Sequence, residues 1–204
     1  MVGNQIYFLI LNKNNTMATS IEQVVKYYIK KDLTGDEIRK LTGKYPILYS
    51  DLKNYNVKKL LKGVGDFQVI LLQTLSKIEG HYVAVFQRQD GIYYFDSYGL
   101  GSPDSYKEYT KFDQQYPNYL SKLLKESGKP IISNNRDYQA WNPSGISTCG
   151  RYSALRIHLM GLDNNEFQSL FVGNQSKFLS NPDYVVTILT LTALNNINQI
   201  FDDN

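Results

Sequence analysis

"GHYVAVFQRQDGIYYFDSYG", Gly80 to Gly99, contains two runs rich in valine, tyrosine and phenylalanine around a polar "RQD". The pattern predicts two antiparallel strands joined in a hairpin. His81 opens the first strand directly after Gly80, at the rim of a sheet, and Asp96 closes the second. Because side chains alternate along a strand, the two face one side only if the loop has an even number of residues. A two-residue turn at Asp90-Gly91 pairs Val85 with Asp96 and leaves His81 about 13 Å along the strand. A longer loop, Gln87 to Asp90, pairs Phe86 with Gly91 and sets His81 directly opposite Asp96, within reach of a hydrogen bond. A functional His81–Asp96 pair therefore requires the longer loop, against the local Asp-Gly preference.

Working outward, "FQVILLQTL" (Phe67 to Leu75) is β-branched and almost continuously apolar, as expected of a strand covered on both faces. "IYFLIL" (Ile6 to Leu11) also predicts a buried strand, being too short to span a bilayer and lacking the basic flank of a signal peptide. "TSIEQVVKYYIKKD" opens with a capping box, Thr19 to Glu22, and puts Ile21, Val24, Val25, Tyr28 and Ile29 on one helical face. A second box, Thr34 to Glu37, starts a short helix that should stop at Gly43. "YSDLKNYNVKKLLKG" predicts another helix or helical turn ending near Gly63. Tyr106 to Glu126 has the spacing of one or two helices, "KPIIS" of a short strand, and "NNRDYQAWNPSGIST" is loop chemistry. A last helix opens at "NPD" (Asn181 to Asp183) and runs through Ala193. With no internal repeat and no linker composition, residues 1–204 are expected to form one α+β domain, a central mixed sheet flanked by helices.

The only cysteine lies in "ISTCGRYSALRIHLMG", Ile146 to Gly161. Ser147 and Thr148 are suitable N-caps, so Cys149 falls in the first turn of a helix predicted to end at Gly161. There the unpaired backbone N–H groups and the helix dipole favour a thiolate. Gly150 is expected to let a substrate backbone approach. The alternative is a buried cysteine acting as a small hydrophobe. A nucleophilic cysteine needs a base, and the chain has two histidines. His158 follows on the same helix roughly 13 Å away, too far to serve, and is expected at the surface. His81 remains, taking the Cys149 proton while Asp96 orients its ring. Taken alone, Asp96 also fits a turn residue capping the strand before Gly99.

Composition excludes several other classes. One cysteine forbids an intramolecular disulfide, and with only two histidines a structural zinc site is not expected. No other metal or cofactor site is expected either. The 22 basic and 19 acidic residues leave a net charge of +3, too small to argue for nucleic acid. Lys58, Lys59 and Lys62 are expected to be a solvated face. Val2 removes the N-terminal myristoylation signal, and nothing marks the chain for secretion.

Together "GHYVAVF", "YYFDSYG" and "TCGRYSA", in that order, resemble the cysteine-protease superfamily of adenovirus protease (adenain) and the SUMO and NEDD8 isopeptidases. The resemblance is greatest to the proteases of virophages and Polinton-type elements, and spans roughly residues 45 to 160. It implies a papain-like α+β fold and a peptidase using Cys149, His81, Asp96 and an oxyanion-hole glutamine. Gln139 is taken as that glutamine, although it stands farther from the cysteine than is usual, across "AWNPSGIS". Asn142, at the conventional distance, is the fallback. The family's tryptophan after the histidine is Tyr82 here, expected to cover the imidazole. The implied substrate is a viral capsid precursor cut near glycine, in the virion or the host-cell cytoplasm, with DNA or a peptide as a possible activator and a monomer favoured. The same centre would serve a ubiquitin-like isopeptidase or an effector acyltransferase. A non-catalytic capsid or scaffold component would instead keep Cys149 far from His81.

Overall fold

A computed structural model describes residues 15–74, 79–106, 118–140, 145–172 and 180–194. The expected strand at Ile6 to Leu11, most of the first part of the expected helical stretch from Tyr106, and Asn142 lie outside them.

Five strands form one mixed sheet in the order β1 (Ile47–Leu48), β2 (Phe67–Leu72), β3 (His81–Gln87), β4 (Ile92–Phe95) and β5 (Ile131–Ser133). The two edge pairs are parallel and the two central pairs antiparallel. Helices flank it on both sides, the α+β architecture expected. They are α1 (Asn15–Tyr28), α2 (Gly35–Thr42), α3 (Val57–Leu60), α4 (Tyr119–Glu126), α5 (Cys149–His158), α6 (Asn164–Ser169) and α7 (Pro182–Ala193). No helix among the described residues is long and apolar enough to cross a membrane.

Alternation distributes the strand side chains between two cores. Val69, Leu71, Tyr82, Ala84, Phe86, Tyr93 and Phe95 pack with α2, α5 and α6. Ile70, Leu72, Val83, Val85, Ile92 and Tyr94 pack with Leu52, Leu60 and the α4 leucines on the other face. Both faces of β2 are thus buried, as its continuous apolar run required.

Several boundaries differ from expectation. α1 begins at Asn15, so Thr19 lies inside the helix; Met17 and Ala18 are good helix formers that carry it back past the expected cap. The Tyr49 to Gly63 stretch is a 3-10 helix (Tyr49–Asn54) followed by α3, because Tyr55 and Asn56 are extended and Asn56 caps α3 through Lys59 N. α6 was not anticipated, although its capping box, Asp163 with Glu166, is plain in the sequence. The Thr34–Glu37 box and the stop at Gly43 form as expected.

The hairpin adopts neither expected register. Gln87 pairs with Ile92 and Ala84 with Phe95, so the loop is residues 88–91 and Asp96 comes level with Val83, diagonal to His81. Gly91 is used in the loop: its carbonyl accepts from Arg88 N at 2.9 Å, and a Cβ there would meet the Pro130 carbonyl at 2.6 Å. The loop length stays even, which keeps His81 and Asp96 on one face.

Candidate active site

The sequence folds so that three segments meet at one end of the sheet. His81 is the first residue of β3, held in place by Gly80, where a Cβ would fall 1.8 Å from the Leu72 carbonyl oxygen. Asp96 is the residue after β4, and Cys149 is the first residue of α5. His81 Nε2 lies 2.8 Å from Asp96 Oδ1, in a pair that is 6% and 0% exposed. Cys149, 6% exposed, lies within hydrogen-bonding reach of the same ring, which leaves Nδ1 for the thiol.

Asp96 is fixed from every side. Its Oδ1 also accepts from Tyr98 N (2.9 Å) and its Oδ2 from Leu100 N (3.2 Å), while its backbone exchanges two hydrogen bonds with the Asn134 side chain. The tight turn that makes this possible needs Gly99, at φ +68° and packed against the Arg136–Asp137 backbone. Burial disfavours a charged imidazole, but the Cys149 charge and the hydrogen bond to Asp96 outweigh it and raise the His81 pKa from 6.5 to about 9.

The ring covering His81 is Tyr98, stacked at 4.6 Å between centroids and 17° between planes. The expected cover, Tyr82, neighbours His81 on β3 and so points to the opposite face, where its ring meets Gly150. That contact also corrects the expectation for Gly150: a Cβ would lie 3.1 Å from Tyr82 and 3.2 Å from Leu33, so its smallness serves helix packing rather than an open approach. Burial, with the Cys149 charge nearby, pushes the Tyr98 phenol up to about 12, so it stays neutral at ordinary pH.

Gln139 joins the cluster. It is 3% exposed; Ser97 Oγ donates to its Oε1 at 2.9 Å, and its Nε2 donates to Tyr98 Oη at 3.2 Å and to the Ile146 carbonyl at 3.3 Å. Its neighbour Ala140 donates its N–H to Asp183 Oδ2 at 3.1 Å. Thr148, the N-cap of α5, makes no side-chain cap; its hydroxyl goes to Asp183 Oδ1 at 2.5 Å. Ser97, Tyr98, Asn134 and Asp183 were not singled out as site residues. The "DSYG" run held a signal for the first two, whereas Asn134 and Asp183 come from distant loop and helix-start segments that only the fold brings in.

His158 is exposed at the end of α5, as expected. Lys58, Lys59 and Lys62 are exposed too, and Lys59 and Lys62 line a surface pocket of about 410 Å³ with Lys44, Asp51 and Asp66 that shares no residue with the cluster. Among the described residues no group of three or more His, Cys, Asp or Glu side chains is placed to hold a metal. α5 itself is anchored by two buried arginines. Arg151 donates to Thr190 Oγ1 and the Tyr28 carbonyl, while Arg156 lies against Phe86 and Phe167 and donates to the Leu159 and Leu162 carbonyls.

The fold and site define an α+β protein with a buried carboxylate, imidazole and thiol in sequence at the end of a mixed sheet. The chain belongs to the family of protein V9 of Sputnik virophage, with 33% identity over 175 residues, 82% of this chain and 98% of that one. This agrees with the virophage kinship that residues 45 to 160 suggested. No family model matches the chain. Among solved structures it is similar to the C-terminal Ulp1 protease domain in complex with Smt3, the yeast ortholog of SUMO, at 15% identity and a TM-score of 0.33 over 91% of this chain and 98% of that chain. It is also similar to SUMO protease Ulp1 with its catalytic cysteine oxidised to a sulfinic acid, at 17% identity and a TM-score of 0.31 over 85% and 78%.

Proposed function

We propose that this protein is a cysteine peptidase in which Cys149 is the nucleophile, His81 the general base and acid, Asp96 the group that orients and charges His81, and Gln139 an oxyanion donor. The observation that carries the reading is the buried His81–Asp96 hydrogen bond with Cys149 against the same ring; the raised pKa of His81 agrees with a ring that keeps its proton beside the sulfur. An imidazolium next to a thiolate at a helix N-terminus is an activated nucleophile. The thiolate attacks the scissile carbonyl, a C–S bond forms, and the carbonyl electrons move to an oxyanion. The Cys149 N–H and the Gln139 amide receive that charge; the Gln139 Nε2 contacts of 3.2 and 3.3 Å are long enough for a charged acceptor to displace one. His81 then gives its proton to the leaving amine, leaving a thioester. Water attacks the thioester while His81 takes its proton, releasing the acid and restoring the thiolate.

The virophage relative favours a viral protein as substrate, and a structural precursor cut near glycine is the reading adopted. Two measurements test the proposal. Iodoacetamide should alkylate Cys149 at pH 7 faster than free cysteine, and at least about tenfold more slowly in His81→Ala. Incubated with a denatured proteome peptide library, the wild type should generate new N-termini that Cys149→Ala and His81→Ala do not. A thiol that reacts no faster than free cysteine, indifferent to His81, would leave the structural-component reading in place.

A further inference from the structure

The second buried carboxylate near Cys149 is Asp183, 1% exposed and, among the described residues, without an ion-pair partner. It sits in the first turn of α7 behind Pro182, its backbone N–H donating to Asn181 Oδ1 at 2.9 Å. Burial raises its pKa, so its place costs free energy that a purely structural neutral side chain would not. Its two oxygens reach two separate segments. Oδ2 accepts from Ala140 N–H, next to Gln139, and Oδ1 from the Thr148 hydroxyl, next to Cys149.

We infer that Asp183 is a positioning residue for the oxyanion site, joining the segment that carries the Gln139 amide to the segment that carries the Cys149 N–H. The inference rests on the peptidase reading above. Its second support is what Asp183 does to the helix cap. A threonine before a helix ordinarily accepts from an N–H of the first turn, at extended backbone angles. Thr148 lies at φ −106°, ψ 0°, outside the extended region a side-chain cap needs, and makes no such bond; its hydroxyl is held by Asp183, to which it donates. The first N–H groups of α5 are therefore kept from their own cap and left to receive a developing negative charge.

Acylation passes through an oxyanion, whereas alkylation is a direct displacement that does not. The rates of Cys149 with p-nitrophenyl acetate and with iodoacetamide therefore separate oxyanion support from thiolate formation. In Asp183→Ala and in Thr148→Val, acylation should fall by about ten- to a hundredfold, at least about fivefold more than alkylation, which loses only what the same N–H groups give the thiolate. Thr148→Val keeps the carboxylate and the shape of the buried site, so it carries the test if Asp183→Ala does not fold. Equal losses of both rates in every folded variant, failure of both variants to fold, or no loss of acylation would each overturn the inference. A wild type that is alkylated like free cysteine and not acylated would overturn the peptidase reading with it; rapid wild-type acylation, unchanged in the variants, would overturn the role of Asp183 alone.

Discussion

Replacing Asp96 by asparagine should weaken the hold of His81 on its proton without unfolding the hairpin. The carboxylate accepts from His81 Nε2, Tyr98 N and Leu100 N at 2.8, 2.9 and 3.2 Å, with a backbone donor on each oxygen. Whichever way a carboxamide turns, its NH2 faces a backbone N–H; turned one way it offers His81 an uncharged, weaker acceptor, and turned the other way a donor that repels a protonated Nε2. A hydrogen bond to a charged group contributes about 1.5–3 kcal/mol, and one pH unit corresponds to roughly 1.4 kcal/mol, so the His81 pKa should drop from about 9 by about one to two units. NMR of histidine-labelled protein reads this directly, since the chain has 2 histidines and the other, His158, is exposed. Alkylation of Cys149 at pH 8 should slow severalfold in the same variant. A His81 titration that does not move in Asp96→Asn would refute the reasoning, because the carboxylate would then be contributing neither charge nor hydrogen bond to the ring.

Stability should depend on pH through the same group. Folding raises the His81 pKa from 6.5 to about 9, so the stabilisation tied to its proton is fully present below pH 6.5 and is lost as the pH rises through 9. Urea midpoints of the wild type should therefore fall from pH 6.5 to 9.5, with a flatter profile in His81→Phe; parallel profiles would assign the dependence to other groups. Gly99→Ala should destabilise by about 3 kcal/mol, combining left-handed strain at φ +68° with a Cβ 2.4 Å from the Arg136 carbonyl carbon. Denaturant unfolding within about 0.5 kcal/mol of wild type would show that the turn relaxes freely.

Much of the scaffold was legible because its signals are local. The Thr34–Glu37 box, the double-faced apolar run of β2 and the alternating hairpin strands each carry their own structure within a few residues. The hairpin register was not legible, because Asp-Gly chemistry argues for one loop and the packing of Gly91 against the Pro130 backbone, a contact with a distant strand, selects another. Tyr82 was assigned to the imidazole on sequence adjacency, which a strand denies by turning neighbours to opposite faces; the stacked ring comes from Tyr98, across the hairpin.

By itself, the sequence determined which residues had the chemistry to react: one thiol, one imidazole not confined to the thiol's own helix, and a carboxylate at the end of the paired strand. Those are properties of residue type and short-range spacing, and they survive any error in register. Only the tertiary structure decided the contacts that make the group a site. Tyr98 over His81, Asn134 on Asp96, Ser97 on Gln139 and Asp183 between Ala140 and Thr148 join segments far apart in the chain. Their partners are chosen by how two packed faces of a sheet close around them, and a local pattern carries no record of that choice.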